Sequence, residues 1–265
     1  MLKEEILYNK IEKKFICTDI GWEKKMHRLL VFDLDGTLAL AGKAMLAKDV
    51  DKLIELEQLG YTIVICSGKP SYYLCGFARQ LGLREPILIG ENGATLQFGI
   101  ELPPKRYEVY PYNERARVQR EMMRQLMNEQ YGNKIWYQPN EVGLSPFPRD
   151  EKTFEELQEL INEKKEYLDE LIIYRHFDCF DLVPKNINKQ NGLKYLINIL
   201  NIEAKDIVAV GDGANDIPMF EFADIAIGII GEGIDTKIEA EKKLGVDYIF
   251  KDIGQVLDFI IANEL

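Results

Sequence analysis

The sequence predicts an α/β fold, a doubly wound parallel sheet interrupted by an inserted α+β unit. Three observations predict it. Short runs at 29–32, 61–66, 87–89, 207–210, 225–230 and 248–250 are rich in Ile and Val. They are apolar throughout rather than alternating, which is how strands covered on both faces of a parallel sheet read. Segments of helical spacing separate them, and strand–helix–strand alternation implies a doubly wound sheet. Between 94 and 183 this rhythm breaks, and alternation appears at 171–183.

The elements follow in order. Residues 1–28 begin "MLKEEILYNKIEKK", too charged for a signal peptide. They read as a structural extension, an edge or an oligomer contact. The run 29–32 ends in "DLDGT". A helix is expected next, with Val50, Leu53, Ile54, Leu56 and Leu59 forming a broad apolar stripe and Gly60 as its stop. The run 61–66 leads to a helical segment at 71–83 and the run 87–89. This first part of the core spans 1–93. From 94 to 183 come "LPPKRYEVYPYNE", a charged helix at 114–130, "QPNEVGLSPFPRD" and a charged helix at 152–168. Then "LIIYRHFDCFDLV" alternates over 171–183, as antiparallel strands with one wet face do. The charged helices read as the solvated face of a second domain. The core resumes over 184–265, with a helix at 192–202 ahead of the last three runs.

Composition narrows the function. A chain that is 46% hydrophobic and 29% charged is an ordinary globular protein able to bury a core. A net charge of −11 argues against nucleic-acid binding by phosphate neutralisation. No apolar run approaches the roughly 18 residues of a membrane span. Cys17, Cys66, Cys75 and Cys179 form no CxxC pair and read as reduced thiols of a cytoplasmic protein. No GxxxxGK[ST] loop is present, which argues against a P-loop enzyme.

Polar residues gather where the apolar runs end. The first ends at Asp33, the second at Ser67-Gly68, and that at 207–210 at Gly211-Asp212-Gly213. Ligands of open parallel sheets bind outside the carboxyl ends of the strands, so these residues can converge. Asp216 follows four residues after Asp212, and Lys189 lies just before the helix at 192–202. Several carboxylates in one crevice repel each other unless protonated or bridged by a cation. An all-oxygen set favours a hard ion, and magnesium fits best when a substrate phosphate completes its ligands. A lysine and a serine beside it suit the remaining phosphate oxygens. Asp33 and Asp35, at i and i+2, face one side of a strand. One can attack phosphorus and the other can move the proton.

These stretches resemble the motifs of the haloacid dehalogenase superfamily of phosphohydrolases. "DLDGT" at 33–37 is similar to its first motif and "VICSGKP" at 64–70 to its second. "NINKQNGLKYL" at 186–196 resembles the third and "GDGANDIPMF" at 211–220 the fourth. The resemblance implies a Rossmann-like core in which Asp33 is the nucleophile and Asp35 the general acid/base. It implies magnesium held by Asp33, the Asp35 backbone carbonyl and Asp212, with Asp216 supporting or binding. Ser67, Gly68, Lys189 and Asn215 would hold the phosphoryl group. "IGENGA" at 89–94 looks like the exit to the large α/β cap of one subgroup, which includes sugar-phosphate and phosphoglycolate phosphatases and phosphomannomutase. Where that subgroup often has Arg after the Ser-Gly of motif two, this chain has Lys69.

The expectation is therefore a magnesium-dependent phosphatase acting on a small phosphomonoester, without nucleic acid or membrane partners. A phosphomutase uses the same core residues, and a non-catalytic binding module on this fold is a third reading. A transport ATPase is excluded by the lack of membrane spans and by Asp35, where that family has Thr. His27 and His176 read as structural or surface residues, with substrate contact by His176 and Arg175 as the alternative. Trp136 and Tyr137 read as packing residues. Lys105 and Arg106 read as part of a connection that could also face an anion.

Overall fold

The computed structural model describes residues 29–40, 42–230 and 244–265. The extension at 1–28, with Cys17 and His27, lies outside the described residues. An eight-stranded sheet forms the centre. Its strands are β1 (Leu29–Phe32), β2 (Thr62–Cys66), β3 (Ile87–Gly90), β4 (Thr95–Phe98), β5 (Arg106–Val109), β10 (Ile207–Gly211), β11 (Ile225–Ile229) and β12 (Tyr248–Phe250). Their order is β12-β11-β10-β1-β2-β3-β4-β5. The six strands from β12 to β3 are parallel, with Leu29 opposite Ile207 on one side of β1 and opposite Thr62 on the other. All six are those expected from their continuous apolar runs.

Side-chain alternation along these strands supplies two cores. Leu30, Phe32, Ile63, Ile65, Val208 and Val210 face one layer of helices: α1 (Ala47–Gln58), α2 (Ser71–Leu81) and α7 (Ile253–Asn263). Leu29, Val31, Val64, Cys66, Ile207 and Ala209 face the other: α5 (Lys189–Leu200) and the short α6 (Ile217–Phe220). Helices on both faces are what make every strand position apolar. The expected stop after α1 is present, with Gly60 at φ 99.

The inserted unit contains α3 (Glu114–Tyr131), β6 (Ile135–Gln138), β7 (Ser145–Pro148), α4 (Glu151–Lys164), β8 (Leu171–Arg175) and β9 (Phe180–Pro184). β6–β7 and β8–β9 are antiparallel hairpins, joined by a bridge between Leu144 and Leu182. The charged helices bury only a stripe, such as Ala116, Met123 and Met127 of α3, against Leu157, Phe180 and Leu182. Asn113 and Asp150 cap the two helices, each accepting a hydrogen bond from the backbone N–H three residues on.

One boundary differs from the sequence reading, which begins this unit at 94. β4 and β5 pair antiparallel onto β3, so the large sheet continues through Val109. The β–α rhythm breaks at 94 because the sheet ends in antiparallel strands, which need no crossover helix.

Candidate active site

Asp33 leaves the end of β1 with its N–H still donating to Val210 of β10 at 2.9 Å. The chain then turns sharply. Gly36 sits at φ 93, and a Cβ there would lie 2.3 Å from Asp212 Oδ2. Only glycine admits both this conformation and the Asp212 carboxylate against the backbone. Thr37 Oγ1 donates to Asp212 Oδ1 at 2.9 Å, tying the first and fourth motifs together.

Lys189 is the centre of the site. It opens α5, whose N-cap Asn188 accepts from the Asn191 N–H, while Leu193 and Leu196 fix the helix to the sheet. A lysine in the first turn opposes the helix dipole, and here it is also 1% exposed. Carboxylates offset both costs. Its ammonium donates to Asp33 Oδ1 at 2.6 Å and to Asp216 Oδ1 at 2.5 Å. Burial alone would lower its pKa, yet Asp216 and Asp33 outweigh it and hold the ammonium above its ordinary value.

Asp216 has both oxygens engaged. Oδ2 accepts from the N–H groups of Asp212 and Gly213 at 3.0 and 2.9 Å. Gly211 must be small here, because a Cβ would lie 2.4 Å from that oxygen. Asp216 thus orients Lys189 and the loop that carries Asp212.

The donor set suits a hard divalent cation. Carboxylate oxygens of Asp33, Asp212 and Asp216 lie within 4.8 Å of one another. Of these three acids, Asp33 and Asp216 contact the one ammonium, while Asp212 is held by Thr37. Burial pushes Asp33 up to about 7, with Lys189 opposing and Asp216 and Asp212 reinforcing the shift. Burial also raises Asp212, against the hydrogen bond from Thr37. Burial is the largest cause of both shifts, and a cation beside these acids would oppose it.

The second motif closes the site. Ser67 is buried, and its N–H donates to Ile89 at 3.0 Å. Its Oγ accepts from the Lys69 N–H at 3.3 Å. The Lys69 ammonium lies 3.5 Å from Asp35 Oδ2 in a half-exposed pair. Asp35 is about a third exposed and so lies at the mouth of the site, where a proton can be exchanged. Gly68 turns its carbonyl to the inserted unit, accepting from Gln138 Nε2 at 3.1 Å. Asn215 is exposed over Gly213 and makes no hydrogen bond to Lys189.

Several residues of the mouth were not singled out by sequence. Gln138 also donates to Asn140, Asn140 to Ser145, and Ser145 to Asp181, at 2.8, 2.8 and 2.5 Å. Asp181 Oδ2 lies 3.0 Å from His176 Nε2. That hydrogen bond raises the His176 pKa, and the nearby Lys69 charge opposes it. Arg175 turns aside, onto Gln158 and the Phe154 ring. Lys105 and Arg106 pair with Glu85 and Glu108. Tyr137 packs against the core of the inserted unit, as expected, whereas Trp136 meets Phe147 edge-on but is 48% exposed.

The sequence profile of a family described as haloacid dehalogenase-like hydrolase matches residues 30–101 and 105–243. A putative phosphatase of Haemophilus influenzae is 24% identical over 231 residues, 74% of this chain and 82% of that protein. A phosphoglycolate phosphatase of Methanosarcina mazei is 27% identical over 240 residues, 89% of this chain and 97% of that protein. Among solved structures, TM0651 from Thermotoga maritima matches with a TM-score of 0.68 at 20% identity, over 89% of this chain and 98% of that one. At that identity the likeness speaks for the fold.

Proposed function

This chain belongs to the haloacid dehalogenase-like hydrolases, and from that premise we propose that it is a magnesium-dependent phosphomonoesterase working through an aspartyl-phosphate on Asp33. The observation that carries the reading is the convergence of Asp33, Lys189, Asp212 and Asp216 from three separate stretches of chain. The free Asp33 oxygen attacks phosphorus, the ester P–O bond breaks, and Asp35 gives the leaving oxygen its proton. Asp35 then takes a proton from the water that attacks the acyl phosphate, releasing inorganic phosphate and restoring Asp33. Lys189 and Ser67, with the Gly68 N–H, hold the phosphoryl oxygens throughout. Asp33, the Asp35 carbonyl and Asp212 would hold magnesium, which when bound neutralises charge on the phosphoryl oxygens.

The unit from about 110 to 184 acts as the cap that reads the leaving group. Gln138, Asn140, His176 and Asp181 give it a polar face beside Lys69, which suits a small hydroxylated or carboxylated leaving group. The named phosphoglycolate phosphatase among its relatives fits that chemistry. The free, buried Cys66, Cys75 and Cys179 suit a reducing compartment. No helix among the described residues is long and apolar enough to cross a membrane.

The test is phosphate release from a panel of phosphomonoesters, with magnesium and with chelator. The account expects release that needs the metal. Release unaffected by chelator contradicts it, and conversion of the ester to an isomer without phosphate release indicates a mutase.

A further inference from the structure

We infer that Glu91 is a positioning residue that fixes the cap in register over the phosphate-binding loop. The inference rests on the phosphatase reading for its kinetic consequence. The segment 91–93 joins three parts of the molecule. Its backbone holds the loop of the second motif, with the Glu91 N–H donating to Lys69 at 3.0 Å and the Asn92 N–H to Ser67 at 2.9 Å. Gly93 lies against the start of α5, where a Cβ would sit 2.3 Å from the Asn188 carbonyl oxygen. The Glu91 side chain reaches the other way. Its carboxylate accepts from three consecutive N–H groups of the cap loop: Glu141 at 2.6 Å, Val142 at 2.8 Å and Gly143 at 2.9 Å.

The same peptides are gripped from behind. Arg120 of α3 donates to the carbonyls of Glu141 and Val142 at 2.7 and 2.9 Å. A loop held between a carboxylate on its N–H side and a guanidinium on its carbonyl side has its peptide dipoles aligned between opposite charges. Gln138 and Asn140, which lead to Gly68 and Ser145, enter this loop directly. Its placement therefore sets where the polar face of the cap lies.

The conformation marks the segment as built for this. Glu91 and Asn92 have φ of 51 and 57, and Gly93 follows at 107. Left-handed backbone at two successive non-glycine residues persists only where the surroundings over-determine it. Here the phosphate-binding loop, α5 and the cap do so together. A buried carboxylate 4% exposed is otherwise a poor choice for a turn.

Glu91→Gln tests the inference, because glutamine keeps the shape but points an NH2 at one of the three amides. Hydrogen exchange at 141–143 is read together with steady-state kinetics on the ester panel. The inference expects exchange there to rise about tenfold or more. It expects KM for the best ester to rise about 10- to 100-fold, as misplacement does, with turnover of p-nitrophenyl phosphate little changed. If Glu91→Gln does not fold, Glu91→Asp, which keeps the charge but falls short of the loop, is read in the same way. Unchanged protection at 141–143 overturns the inference. So does lost protection with an unchanged KM, which would make the contact merely structural. Wild-type protein that releases no phosphate from any ester overturns the phosphatase reading and with it this role.

Discussion

Replacing Lys189 with methionine leaves Asp33 and Asp216, which share one ammonium, with none, and Asp212 close by. The ammonium is fully buried and contacts Asp33 and Asp216 at 2.6 and 2.5 Å. Methionine fills the volume but supplies no charge. Removing one member of a buried charge pair costs about 3–5 kcal/mol, because its partners stay desolvated and unpaired. For a chain of this size each kcal/mol shifts Tm by about 2–4 °C, so the expected loss is about 10 °C. The loss depends on pH in a defined direction. Burial has already raised Asp33 to about 7 and raised Asp212 as well. An acid whose folded pKa is raised carries no charge at low pH, and an uncharged acid does not need the missing cation. The deficit is therefore largest above pH 7 and smaller at pH 5. Thermal unfolding of wild type and Lys189→Met at pH 5 and pH 8 measures it. A deficit under about 1 kcal/mol at pH 8 is the size of a surface pair and refutes the reasoning. An equal deficit at both pH values refutes it too. Phosphate release should fall at least about 100-fold, the usual cost of losing one charge-stabilising donor.

Other outcomes follow from the same geometry. Gly36→Ala forces a Cβ to within 2.3 Å of Asp212 Oδ2 at φ 93. It should lower both Tm and phosphate release, and a fully active variant would show that the turn is not fixed as described. His176 is raised above its ordinary 6.5, chiefly by Asp181, while Asp178 and Lys69 act in opposite senses. A raised folded pKa adds stability that is complete below the unfolded value and is lost as pH rises through the folded one. The half-exposed pair is worth about 0.5 kcal/mol after solvent screening. The Tm difference between wild type and His176→Gln should thus be present at pH 5.5 and gone at pH 9, and the opposite trend would contradict the pairing.

Legibility in the sequence followed burial. The six parallel strands were readable because helices cover both faces of the sheet, leaving no polar position to disguise them. The residues that end them were readable for the same reason, since Asp33, Ser67 and Asp212 interrupt otherwise apolar context. Lys189 was placed by its neighbours, and its burial and double ion pair appear only in three dimensions. β4 and β5 were assigned to the inserted unit because the β–α rhythm already breaks at 94, where the antiparallel edge of the large sheet begins. Glu91 went unread as an anchor. Nothing local distinguishes a turn glutamate from one that accepts three amides fifty residues away. The Gln138–Asn140–Ser145–Asp181 chain was hidden likewise, because each member is an ordinary loop or strand polar residue alone.

The nucleophile is the centre of the account, and it can be caught directly. In Asp35→Asn the water that breaks down the intermediate lacks its base, which should slow hydrolysis about 10²–10⁴-fold. p-Nitrophenyl phosphate, whose leaving group needs no proton, still loads the enzyme. Acid quench in the presence of magnesium, followed by peptide mass spectrometry, should find the phosphoryl group on Asp33, and Asp33→Asn in the same background should abolish it. Release of nitrophenol with no phosphoryl group on Asp33, or with the group on another residue, would contradict the account.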